Sequence, residues 1–162
     1  NTALTELECD DNQLTSLDVS ANTALTYLDC ASNQLTTLDV SGCTALTQLW
    51  CFYNSLESLD VSGCTALMGL YCYSNQLESL DVSGCTALTE LSCSSNSLTS
   101  LDVSANTALT FLECEDNPGD GVSTFPVTAW FDNDTKPDNL EIYQSSWSYG
   151  GKTITIEFQK AE

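Results

Sequence analysis

From Asn1 to Asn117 the chain repeats itself every 21 residues. Units begin at Asn1, Asn22, Cys43, Cys64, Cys85 and Asn106; the second reads NTALTYLDCASNQLTTLDVSG and the fourth CTALMGLYCYSNQLESLDVSG. A unit this short cannot bury its own leucines, so the units must stack as successive coils around a shared core. Stacking sets equivalent residues about 4.8 Å apart, the spacing of hydrogen-bonded strands. Leu7-x-Cys9 and Leu17-x-Val19 both alternate as strands do, which turns residues 6, 8 and 10, and again 16, 18 and 20, away from the core. The pattern predicts two parallel strands per coil, and 21 residues leave little room for a helix.

Within a unit, Leu4, Leu7, Cys9, Asn12 and Leu14 give L-x-x-L-x-C-x-x-N-x-L. This resembles the leucine-rich-repeat signature, with cysteine in place of its third apolar residue. The second half, Leu14-x-x-Leu17-Asp18-Val19-Ser20, resembles the short 21-residue variety found in secreted and surface-attached bacterial proteins. The resemblance implies a mainly β solenoid, a right-handed coil stack with two parallel sheets, placed outside the cell or on its surface and binding protein. The row Asn12, Asn33, Asn54, Asn75, Asn96 and Asn117 has side chains suited to satisfying backbone groups in the turn after the first strand, and the resemblance assigns it the same task.

The repeat region is expected to span 1–117, with a capping segment over 118–162. Composition changes at Pro118; Leu140–Tyr143 and Thr153–Phe158 alternate, and Tyr149-Gly150-Gly151-Lys152 offers a hairpin turn. A hairpin laid over the last coil would cover its open backbone edge, with Trp130, Phe131 and Trp147 sealing the apolar end.

Other rows are read as framework. Cys9, Cys30, Cys51, Cys72, Cys93 and Cys114 occupy core positions, where a free thiol behaves as a small apolar group. Cys43, Cys64 and Cys85 replace asparagine at the start of three units, and a disulfide between two of them stays open. Asp18, Asp39, Asp60, Asp81 and Asp102 repel one another by about 1 kcal/mol per neighbour even in water. Turn amides and Ser or Thr hydroxyls are the expected remedy, with a row of calcium ions the alternative. A second calcium candidate pairs Asp116 with Asp120, although Pro118 fills a ligand position and the run reads equally as a turn ending the repeat.

Acidic residues number 23 against three basic ones, a net charge of -20, which repels nucleic acid and anionic lipid. No apolar run approaches the roughly 20 residues that insertion into a membrane needs. Histidine and arginine are absent, and carboxylate pairs such as Glu8 with Asp29 are the only catalytic-looking groups, on a face with no pocket to shift their pKa. An enzyme is therefore not expected. The chain opens inside its own pattern, since Asn1-Thr2-Ala3-Leu4 recurs within later units, and reads as a mature protein or an excised piece.

Function belongs where the repeat varies. Outward positions of the first strand carry Tyr27, Trp50, Phe52, Tyr71, Tyr73 and Phe111, which with Tyr53 beside Phe52 make half of the aromatic residues, and Glu8, Asp29, Glu90 and Glu113 lie around them. Leu and Cys already fill the inward positions, so the core does not demand these rings. A contiguous exposed aromatic patch marks a contact surface for a protein or a glycan. The alternative is a structural element that self-associates end to end through the uncapped N-terminal coil.

Overall fold

The computed structural model describes residues 1–162 and contains strands but no helix. Strands β1 (Glu6–Glu8), β2 (Tyr27–Asp29), β3 (Gln48–Trp50), β4 (Gly69–Tyr71) and β5 (Glu90–Ser92) open successive coils. They are followed by β6 (Leu101–Asp102), β7 (Phe111–Glu113), β8 (Thr124–Ala129), β9 (Glu141–Ile142), β10 (Ser146–Tyr149) and β11 (Lys152–Lys160). The first sheet is parallel throughout, in the order β1-β2-β3-β4-β5-β7-β9. Leu7, Leu28, Leu49, Leu70, Leu91 and Leu112 lie in register across it, as do Glu8, Asp29, Trp50, Tyr71, Ser92 and Glu113. The solenoid of stacked coils expected from the period is present.

The opposite side is thinner than expected. Leu17-x-Val19 and its equivalents form single-residue bridges, Asp18 to Asp39 to Asp60 and Asp81 to Asp102, rather than a continuous strand. Only the fifth coil gains a true strand there, because β6 pairs with β8. Each coil must turn twice within 21 residues, which leaves too little extended backbone for a second full ladder.

The interior is a column of leucines, valines and cysteines, nearly all buried, from Val19 to Cys114. Each fully buried leucine contributes about 1.5–3 kcal/mol by leaving water. After each first strand the chain corners through one residue with left-handed backbone: Asp11, Ser32, Tyr53, Ser74, Ser95 or Asp116, at φ between 50° and 56°. The asparagine that follows secures the corner. Asn33 Nδ2 donates to the carbonyls of Cys9, Cys30 and Ala31, while its Oδ1 accepts from the Leu14 amide. Gly42, Gly63 and Gly84 sit where a Cβ would fall within 2.6 Å of the serine carbonyl one coil earlier.

The tail covers the last coil on both sides. β9 adds to the first sheet beyond β7, and β8 adds to β6 on the other side, followed by β11 and β10. The hairpin turns at Gly150-Gly151, but the partner of β11 is Ser146–Tyr149, while Glu141–Ile142 joins the first sheet instead. Trp147 is buried, meets Phe125 edge-on at 5.7 Å, and donates from Nε1 to the Asn117 carbonyl at 2.8 Å. Phe131 is also buried and Trp130 half-buried, so these rings seal the end of the core.

Candidate functional site: the aromatic face of the first sheet

Register brings the aromatic residues together. Trp50 of β3 stands between Tyr27 of β2 and Tyr71 of β4, meeting both edge-to-face at centroid distances of 5.8 and 5.5 Å. Just past the strands, Phe52 and Tyr73 stack at 4.5 Å with their planes 6° apart, and Tyr53 meets both edge-on. Trp50, Phe52, Tyr71 and Tyr73 alone line a shallow depression of about 340 Å³. A second depression of about 570 Å³ adjoins it, lined by Tyr71, Glu90, Thr110, Phe111, Asn139 and Glu141.

These rings are half-buried against one another instead of standing free in water, and only Tyr53, 57% exposed, is open to solvent. The C-terminal hairpin leaves them uncovered, because it pairs on the far sheet. Stacking also conceals several outward positions. Asp29, expected at an open rim, is 8% exposed beside Trp50 and Tyr27, and its Oδ1 accepts from the Ala31 amide at 3.0 Å. Burial raises its carboxyl pKa. Glu8 and Glu90 remain exposed, Glu113 is half-buried, and Glu90 accepts a hydrogen bond from the Tyr71 hydroxyl. Burial, then that bond, pushes the Tyr71 hydroxyl above its ordinary value.

Two residues on this face run against local stability. Tyr53 has φ 51°, a conformation disfavoured for a bulky side chain, where the other corners use aspartate or serine. Trp50 Nε1 is buried without a hydrogen-bond acceptor. The sequence already marks Tyr53 as one of the rings, and its odd place among the six corner residues is visible there too; nothing local in the sequence signals the Trp50 donor.

The remaining candidates are hydrogen-bonded within their own turns and coils. Asp18 and Asp39 each accept from the amide and hydroxyl of the serine two residues on, at 3.0 and 2.7 Å, as expected for that row. Asp120 Oδ1 accepts from the amides of Val122, Ser123 and Thr124, and Oδ2 from the Thr124 hydroxyl. Those amides hold its carboxyl well below the usual range, and both oxygens brace the closing turn. Asp116 is a corner residue. All nine thiols are free, and Cys43, Cys64 and Cys85 donate to the carbonyls of Val19, Val40 and Val61. Every member of the asparagine row from Asn12 to Asn117 bonds backbone carbonyls at its corner.

A stack of short coils with four leucine ladders, one asparagine ladder and one variable strand face defines a leucine-rich-repeat solenoid. The chain is a leucine-rich-repeat protein of the short-repeat kind. A family model described as "Leucine Rich repeats (2 copies)" matches residues 2–42 and 23–64. A comparison with curated protein sequences finds no match. Among solved structures, the chain is similar to the functional domain of InlJ from Listeria monocytogenes, described as including a cysteine ladder. Identity is 33% over 96% of this chain and 40% of that one, with a TM-score of 0.61. A leucine-rich-repeat protein from Leptospira interrogans is 28% identical over 71% of this chain and 32% of its own, with a TM-score of 0.67. An internalin, inlF from Listeria monocytogenes, shares the fold at 24% identity over 78% of this chain and 36% of its own, with a TM-score of 0.67. This chain therefore spans 32–40% of the length of these relatives.

Proposed function

We propose that the chain is a non-enzymatic recognition module that binds a protein partner on the first-strand face, through Trp50, Phe52, Tyr53, Tyr71 and Tyr73. The observation that carries this reading is Tyr53: a large ring, 57% exposed, held in left-handed backbone where five equivalent corners use small polar residues. Neither core packing nor turn geometry favours tyrosine there, and residues that oppose local stability cluster at functional sites. The fold itself commonly mediates protein–protein recognition, and a plant peptide hormone receptor similar in fold forms a complex with RGF2.

Ring orientation favours protein over glycan. Sugar rings stack on exposed aromatic faces, but Phe52 and Tyr73 turn their faces toward each other along the solenoid, and Trp50 is flanked by Tyr27 and Tyr71. Edges and a small apolar depression remain, which suit aliphatic side chains and the apolar stems of basic ones. The net charge of -20 steers a basic partner. Secreted or surface-attached placement belongs to the same proposal and rests on the likeness to the internalin; no helix is long and apolar enough to cross a membrane.

An array of surface proteins and neutral glycans, read with the wild type and with a Trp50→Ala, Tyr71→Ala double variant, tests the proposal. Protein signals that weaken with salt and vanish in the variant support it. Signals confined to glycans, or protein signals the variant retains, overturn it.

A further inference from the structure

Beyond the aromatic block, the same face carries two carboxylates. Glu113 ends β7 and Glu115 follows two residues on, so both side chains leave the backbone on the side that bears Trp50 and Tyr73. The coil between holds Ser92 and Ser94, small and buried, and the Ser92 hydroxyl donates to Glu113 Oε2. Glu115 is 6% exposed, and its Oε2 is buried with no hydrogen-bond partner. An unpartnered buried carboxylate oxygen is unfavourable unless something meets it.

The chain brings no cation to this pair: besides its own amide, the group in hydrogen-bond reach of the Glu115 carboxyl is that of Glu113, a like charge. Its three cations are Lys136, Lys152 and Lys160. Lys136 donates to the carbonyls of Pro137 and Leu140, Lys152 donates to that of Gly121, and Lys160 lies near Asp132. The titratable groups that face Glu115 are Glu113, Asp116, Cys93 and Cys114, with Tyr73 close to Glu113. None of them carries positive charge.

We infer that Glu113 and Glu115 form the seat for a basic side chain of the partner, its ammonium or guanidinium between the two carboxyl groups and its alkyl stem along Tyr73. This rests on the partner being a protein, as proposed above. Half-buried Glu113 is the outer lip and Glu115 the floor. Burial first, and the Glu113 charge next, push the Glu115 carboxyl up to about 7, so the free pair holds a proton near neutrality. The arriving cation takes the place of that proton, which leaves to solvent. Two carboxylates and a serine hydroxyl fall short of the six to eight oxygens calcium gathers, whereas the tyrosine ring suits a cation on an apolar stem.

Carboxyl 13C NMR of the folded chain tests the seat without the partner. The probe is Nα-acetyl-arginine methylamide, with the neutral citrulline analogue and sodium chloride as controls at matched ionic strength. The Glu115 resonance should titrate at about 7 in the free protein. The arginine probe should lower that midpoint by about half a unit or more, and the controls should not. In Glu115→Gln the probe should no longer perturb Glu113, while the amide spectrum of the coils stays in place. An unmoved midpoint, equal effects from the controls, or a larger displacement by calcium chloride overturns the inference. Should the array fail while Glu115 still responds to the probe, the aromatic reading is lost and the cation seat is not.

Discussion

The Asn54 side-chain amide donates to the carbonyl of Cys30, one coil earlier, at 3.0 Å, while its oxygen accepts from the Leu35 amide at 2.9 Å. It also donates to Cys51 and Phe52. Asn54→Ala strands several of these groups at once and should destabilise the fold by about 2–4 kcal/mol. Asn12, at the outer coil, bonds only Cys9 and Asp10, so Asn12→Ala should cost about 1 kcal/mol or less. Urea denaturation of the two variants checks the gradient, and equal losses would refute it.

Tyr53 invites a substitution with two opposite readouts. Tyr53→Asn places a residue tolerant of left-handed backbone at φ 51° and should raise stability by about 0.5–1 kcal/mol. It removes the exposed ring from the contact face at the same time, so partner signals on the array should fall. A variant that melts lower than wild type would show that the contacts with Phe52 and Tyr73 outweigh the backbone strain.

Two sets of carboxylates pull the pH profile in opposite directions. Serine hydroxyls first, then serine amides, hold Asp18, Asp39, Asp60 and Asp81 below the ordinary value of 3.8. Their contribution is complete above 3.8 and disappears as pH falls through the lowered folded values. Glu115 acts the other way, because raising its pKa from 4.5 to about 7 favours the protonated folded form. Its contribution is complete below 4.5 and is lost as pH climbs toward 7. Thermal melts across this range should show Glu115→Gln flattening the upper arm while leaving the acid arm unchanged.

Eight of the nine thiols should be silent until the coils open. Cys9 is half-buried and the other cysteines are buried. Burial raises the pKa of Cys51, Cys72 and Cys93 above the ordinary thiol value, which withholds the reactive thiolate. Ellman's reagent should label Cys9 in the native protein and the rest only in denaturant. Cys51→Ser buries a hydroxyl in the core and should cost about 1–3 kcal/mol. Rapid native labelling of Cys51 would contradict the packing described above.

The repeat made the core legible in the sequence, because leucine, cysteine and asparagine return at fixed offsets and each has one physical use there. Strand β8 was not legible: Pro126 argues against a strand, yet this residue pairs with Glu157 between β6 and β11. Leu140–Tyr143 alternates like a hairpin arm, but the open edge of β7 captured Glu141–Ile142. At the candidate site the outward directions of Trp50, Phe52, Tyr71 and Tyr73 followed from period-two alternation, whereas Tyr53, one residue out of phase, reaches water through its left-handed corner. The concealment of Asp29 and Glu115 did not, since it depends on which large side chains stand on neighbouring coils.

Because β8 and β9 close the last coil from two sides while each earlier coil passes the same bonds to the next, the units between are interchangeable in length. Loss or gain of one whole unit within the gene would leave every ladder in register and the terminal cover intact. Between the fourth and sixth units, such a change would alter how many steps separate the rings from the acidic pair. Spacing between contact points on this surface is thus open to revision by recombination, without any change to the residues that make the contacts.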